Sequence, residues 1–350
     1  MFPNSVLGVD GIRMPDEARI SRWQLNMVWI GFLIGSSTLV VPASSAGRDV
    51  WISALIGGAL GVVHAVLLLR LSARFPGRLP AEIFIRCVGR PFGAALGSLY
   101  IWYCLHLGSL VIRDAAEAHF VSAFERTPEA VVTGVMATLT VAAVYLGIEV
   151  LSRATEILAP LLILSVLVVT CLAVFTKGLL RVEAILPVME TGWVPVLKGA
   201  WANLAFPFGE TAVLLSVLPY ASLDKRAEYG VARSTSFVTI LLTAVSLRNV
   251  MALGAAAQVL MFPSLTAVSL ISIGVLIQRL DALLLFTWTF GAFIKASLCL
   301  FAVVVNLKVL LGVKDYGFHQ LRLAAVLFPV RSNPAAGDPG RGGSEKVRQE

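Results

Sequence analysis

The amino-acid sequence predicts an all-α polytopic membrane protein, and three observations carry that prediction. Of the 350 residues, 57% are hydrophobic and only 14% are charged, with a mean hydropathy of +0.84, whereas about a quarter of the residues in soluble domains are charged. The apolar residues come in continuous runs of roughly 20, the length of a membrane-crossing helix, not in the short alternating segments of a β-barrel. The basic residues behind the net charge of +7 punctuate those runs and form no basic domain. Positive-inside loops explain that pattern, so no nucleic-acid partner is expected; the partner of most of this surface is the lipid bilayer.

Eight clear spans are expected near 23–41, 51–69, 94–112, 130–148, 157–175, 198–218, 235–258 and 282–305. If residues 1–22 are cytoplasmic, the inner segments hold Arg13, Arg19 and Arg22, then Arg70, Arg74, Arg78, Arg86 and Arg90, then Arg153, then Lys225, Arg226 and Arg233. Outer segments hold fewer, among them Arg48, Arg113, Arg126, Lys177 and Arg181. The asymmetry places both termini inside. Asp10, Asp16 and Glu17 before the first span, with no small-residue cleavage site, argue against a removable signal peptide.

Residues 23–305 thus form the membrane domain. Within it, 259–278 is apolar and long enough to cross, but a ninth crossing would put the basic C-terminal residues outside. Pro263, Ser264, Thr266, Ser269 and Ser272 suit an outer, non-spanning helix instead. Residues 306–330 read as an interfacial segment, since Leu321–Val330 is too short to cross and carries Arg322. Residues 331–350, rich in Gly, Pro and polar side chains, read as a disordered cytoplasmic tail.

Two spans carry interruptions. In the sixth, Phe206-Pro207-Phe208-Gly209-Glu210 sets a proline, a glycine and a carboxylate at membrane depth. Proline removes a backbone donor and disfavours helical geometry in the residue before it. Such a break is tolerated only where protein or a wet cavity satisfies the freed groups. In the first span, Ile34-Gly35-Ser36-Ser37-Thr38 precedes Pro42. Read as an inverted repeat of two five-helix halves, the two breaks correspond, and such a pair points to a transporter-type midplane site. The competing reading is that Gly35, Ser36 and Ser37 only let helices pack closely.

If both spans unwind, amides of Gly35, Ser36 and Ser37 face a carboxylate, and carbonyls near Phe206 face an ammonium group. The expected ligand is then a zwitterionic amino acid walled by Phe206 and Phe208. Lys295 lies in the last span, where an ionisable residue is functional by default; it either supplies a positive charge to the site or forms a structural pair with Glu210. Tyr103, or Tyr100, reaches the ligand or packs in the core. Arg248-Asn249 on the seventh span either line an outer vestibule or snorkel. Asn203 is placed to hold the unwound backbone. No nucleophile–base pair, phosphate loop or metal-ligand spacing is found, so no catalysis, cofactor or metal is expected.

Several of these stretches together resemble the endospore germination permeases, the B subunits of germinant receptors. They are ISRWQLNMVWIGFLIGSSTLVVP, DVWISALIGGALG, FPFGETAVLLSVLPY, FPSLTAVSLISIGVLIQRLDALLLFTW and GAFIKASLCLFA, running from about Ile20 to about Gly317. The resemblance implies the amino acid–polyamine–organocation superfamily and a LeuT-like inverted-repeat fold with broken helices 1 and 6. It implies a small nutrient as ligand, A and C subunits as partners, and the spore inner membrane as location. Carried over by position, Gly35 and Ser36 match the first break, Phe206 to Glu210 the second, and Lys295 the lysine of the eighth helix. Family members have ten spans, so helices 9 and 10 look truncated or degenerate here. The alternative within the same superfamily is an amino-acid permease, proton-coupled through Glu210.

Overall fold

The computed structural model describes residues 20–38, 43–122, 128–190, 192–271 and 280–312. Pro42, residues 272–278 of the expected outer helix, most of the expected N-terminal and interfacial segments, and the whole 331–350 tail lie outside them. Helices follow one another along the chain: α1 (Arg22–Ser37), α2 (Val50–Arg74), α3 (Pro80–Val88), α4 (Arg90–Ser122) and α5 (Glu129–Tyr145). Then come α6 (Ile148–Phe175), α7 (Trp193–Asn203), α8 (Lys225–Leu253), α9 (Pro263–Ser269) and α10 (Asp281–Leu311).

Among the described residues, five stretches are long and apolar enough to cross a membrane: Ser45–Arg74, Arg90–Phe120, Ile148–Phe175, Lys225–Gln258 and Ala282–Leu311. The other three expected spans are shorter as helices. Helix α1 has 16 residues and α5 has 17, while α7 has 11 before its regular geometry ends. Helix α9 has only seven residues, about 10 Å of length, far short of a bilayer. Helix α3, absent from the sequence reading, is too short to stand out from the loop around it. It starts with Pro80 and with Glu82 accepting from the Leu79 amide at 3.1 Å, a favoured helix start.

Helix α10 is the centre of the bundle. Every side chain from Ile294 to Asn306 is at most 2% exposed, and α10 packs on α1, α4, α5 and α6. A helix apolar all round belongs in such a place. On the other side, α2 carries Gly57, Gly58 and Gly61, against which Asn203 and Ala200, Thr239, and Phe208 sit so closely that a Cβ would clash. Small residues substitute for hydrophobic drive in membrane packing, since they let backbones approach.

Segments that the charge rule assigns to one face meet in the structure. Ser21 and Gln24 cap α1 reciprocally, the amide of Ile20 donates to Tyr220 O at 3.0 Å, and Arg22 pairs with Asp224 at 3.3 Å. Arg70 holds Glu228 through two donors, the shorter 2.7 Å. At the opposite end Asp49 accepts from the Met189 amide at 3.1 Å, and the Arg181 amide donates to Met251 O.

Candidate functional site

The site grows from the segment after α7. Here the backbone widens into a π-type turn over Leu204–Phe208, with Phe206 extended at φ −133°, ψ 121°. Pro207 accounts for this, as it lacks a donor and pushes its predecessor out of helical geometry. A tighter 3-10 helix follows over Gly209–Ser216, with Glu210 in its first turn. Asn203 does not hold the altered backbone; its amide donates back to Gly199 O within α7 at 3.2 Å.

What holds the 3-10 segment comes from α4 and α10. Tyr100 Oη reaches Ala212 O and Val213 O, both at 3.1 Å, and Ser216 Oγ at 2.9 Å. Asn306 Nδ2 donates to the same Ser216 Oγ at 2.9 Å, while Asn306 Oδ1 accepts from the Ala81 amide at 3.0 Å. Buried polar groups need such partners, and this chain of them ties three helices to one irregular strand of backbone. Tyr100 therefore secures the backbone, the structural alternative among its two expected roles.

Above that network Lys295 of α10 donates to Glu210 Oε2. Lys295 is fully buried and Glu210 is 8% exposed. The ammonium also stands over two rings, 5.1 Å from the centroid of Phe32 on α1 and 5.0 Å from that of Phe206, within cation–π range. Isolated, either charge would be strongly unfavourable inside a bilayer; paired, they are neutral together. The three elements that meet here are α1, α10 and the segment after α7.

The remaining sequence-derived residues fall around this pair. Phe208 is 2% exposed and turned into α2, where a Cβ on Gly61 would lie 2.5 Å from its ring. Phe206 and Phe208 thus do not form two walls of one space. Pro207 is buried and Gly209 half-buried. Tyr103, half-buried on α4, lies within electrostatic reach of Glu210.

At the first break the structure differs from expectation. Helix α1 continues through Gly35, Ser36 and Ser37, so their amides lie within the helix and departure from it begins no earlier than Thr38. Ser37 Oγ bonds back to Leu33 O, and Gly35 is pressed against α10: a Cβ there would be 2.5 Å from Gly291 O. What α1 presents at this level is its C-terminal end, which favours positive charge. Trp288 Nε1 donates to Thr38 Oγ1 at 3.2 Å just beyond.

Sequence reasoning missed Phe32, Gly291, Ser216 and Asn306. Asn306, an amide in the run Ala302–Leu311, carried a usable signal, as did Gly291 four residues before Lys295. Phe32 carried none, being one apolar residue among many. Among the described residues no cluster of His, Cys, Asp and Glu is arranged to hold a metal ion.

Comparison with known proteins places this geometry in context. A family model described as "Spore germination protein" matches residues 19–331. Spore germination protein KB of Bacillus subtilis (strain 168) is 30% identical over 305 residues, covering 86% of this chain and 81% of that protein. Spore germination protein B2 of the same organism is 26% identical over 285 residues, covering 78% and 74%. Among solved structures, Mhp1, a nucleobase-cation-symport-1 family transporter in a closed conformation with bromovinylhydantoin bound, superposes with a TM-score of 0.67. It covers 91% of this chain and 74% of its own, at 13% identity, which is a likeness of fold.

Proposed function

This chain belongs to the spore germination protein family as an integral membrane protein with a transporter-like fold, and from that premise we propose that it is a germinant receptor B subunit. It binds a small nutrient, an amino acid, at a midplane site and passes that event to A and C subunits at the spore inner membrane. The observation that carries the reading is the Lys295–Glu210 pair, buried between Phe32 and Phe206 where the backbone leaves helical geometry.

A zwitterion bears the same two charges as this pair. It can interpose, its carboxylate taking Lys295 and its ammonium taking Glu210 and the carbonyl end of α1, with no net charge added to the interior. Phe206 lines its side chain, the end of α1 at Gly35, Ser36 and Ser37 bounds it, and Pro207, Gly209 and Tyr103 complete the site, with Phe208 anchoring the segment against α2. The irregular segment at 206–210 and the end of α1 at Thr38 act together as the paired helix ends of an inverted repeat. Exchange of ion-pair partners favours one arrangement of these segments over another, and that population shift is the signal.

The test is germination of spores lacking the gene, complemented with the wild-type chain or with the charge-free double variant Glu210→Gln/Lys295→Met, over a panel of amino acids and sugars. An amino-acid response restored by the wild type and lost in the double variant, with protein levels equal, supports the reading. An undiminished response in the double variant overturns the site. The transporter-like fold favours one second reading, an amino-acid permease, which predicts substrate flux into proteoliposomes containing this chain alone.

A further inference from the structure

Arg248, which sequence reasoning left between lining a vestibule and snorkelling, does not snorkel: it is 4% exposed, within two turns of the end of α8. Its Nε and Nη2 donate to Asn249 Oδ1, at 3.2 and 2.8 Å, and Nη1 reaches Thr170 Oγ1 on α6 at 3.4 Å. Asn249 in turn donates to Ser264 Oγ on α9 at 3.0 Å. All these partners are neutral. Among the described residues no carboxylate lies within ion-pair distance of the guanidinium.

A guanidinium has five N–H donors in a fixed plane and stays charged in proteins. Three are engaged here, which leaves one N–H on each terminal nitrogen without a partner among the described residues. A guanidinium offers its N–H donors in one plane, a fork whose geometry matches the two oxygens of a carboxylate. An unpaired buried charge is strongly unfavourable, so the site is complementary to an anion. A small cleft lined by Gly47, Val50, Ser246, Asn249, Ala257 and Gln258 reaches Asn249 at this end of the bundle.

The geometry points to a second ligand site, separate from Lys295 and Glu210, in which Arg248, held by Asn249 and Thr170, binds the carboxylate group of a small solute. The fork selects a planar anion with two oxygens over a spherical one. Asn249 sets the orientation of the guanidinium, and α9 closes over it through Ser264. The assignment does not depend on the receptor reading.

Thermal unfolding of the full chain in lipid nanodiscs tests it, with acetate titrated against chloride at constant ionic strength and methylammonium chloride as the cation control. Acetate is expected to raise Tm saturably, chloride and methylammonium not, and Arg248→Gln to abolish the response. Because Arg248→Gln risks misfolding, Asn249→Asp provides the decisive arm. It places a carboxylate where Asn249 Oδ1 already accepts from the guanidinium. It is expected to raise Tm without acetate and to shift the acetate midpoint upward by about tenfold. An unchanged acetate midpoint in Asn249→Asp, the absence of a saturable response in the wild type, or equal responses to chloride and acetate would each overturn the assignment.

Discussion

Gly35 and Gly291 meet backbone to backbone where α1 crosses α10. A Cβ on Gly35 would lie 2.5 Å from Gly291 O, and one on Gly291 would lie 2.5 Å from Gly35 Cα. Neither neighbour is a flexible side-chain tip, so neither can give way cheaply. This crossing sets how near Phe32, one turn earlier on α1, comes to Lys295, one turn later on α10.

Substitution at the crossing should therefore act on packing before it acts on ligand. Gly35→Ala and Gly291→Ala should each destabilise by about 1–3 kcal/mol, the usual penalty for overpacking. Both should lower the Tm of the purified protein. Because the two glycines share one contact, the double variant should depart from additivity. Additive losses would show that the two positions do not meet.

Removing one member of the ion pair leaves the other buried alone. Lys295→Met or Glu210→Gln singly should lower stability by about 3–5 kcal/mol, whereas the double variant should recover most of that loss. Thermal unfolding of the three variants, treated as a double-mutant cycle, measures the coupling. A double variant no more stable than the worse single one would contradict a direct pair.

The Tyr100–Ser216–Asn306 network makes a different prediction. Tyr100→Phe leaves the Ala212 and Val213 carbonyls and Ser216 short of a partner and should cost about 1–3 kcal/mol. Hydrogen exchange should accelerate over Gly209–Ser216 and not over α2. Uniform acceleration across the bundle would mean that Tyr100 serves general packing.

Topology can be read by labelling. A cysteine introduced at Leu265 in α9 should react in intact cells with an impermeant thiol reagent, whereas one at Lys225, at the start of α8, should react only after permeabilisation. The reverse pattern would invert the orientation drawn from the loop charges.

Much of this was open to reading in the sequence. Continuous apolar runs mark spans because a bilayer demands about 20 residues, and a Pro-Phe-Gly-Glu break among them is conspicuous because hydrocarbon satisfies no backbone group. The pairing of Glu210 with Lys295 was legible as one of two alternatives, since a lone buried charge needs a partner. The course of α1 past Gly35 was not legible. Small residues unwind a helix or invite a neighbour with equal ease, and only the approach of Gly291, more than 250 residues away, decides between them.

By itself the sequence determined the solvent this chain folds in, the positions of its apolar helices, the place where one of them must lose its regular geometry, and the family to which it belongs. Those follow from composition, local backbone chemistry and matching residues, all of which act along the chain. Tertiary structure alone decided that Phe32 and Phe206 enclose the Lys295 ammonium, that Phe208 turns away into α2, and that Arg248 is buried among neutral partners. Each of those depends on which helix faces compete for the same space, and that competition is settled only when all the helices are packed at once.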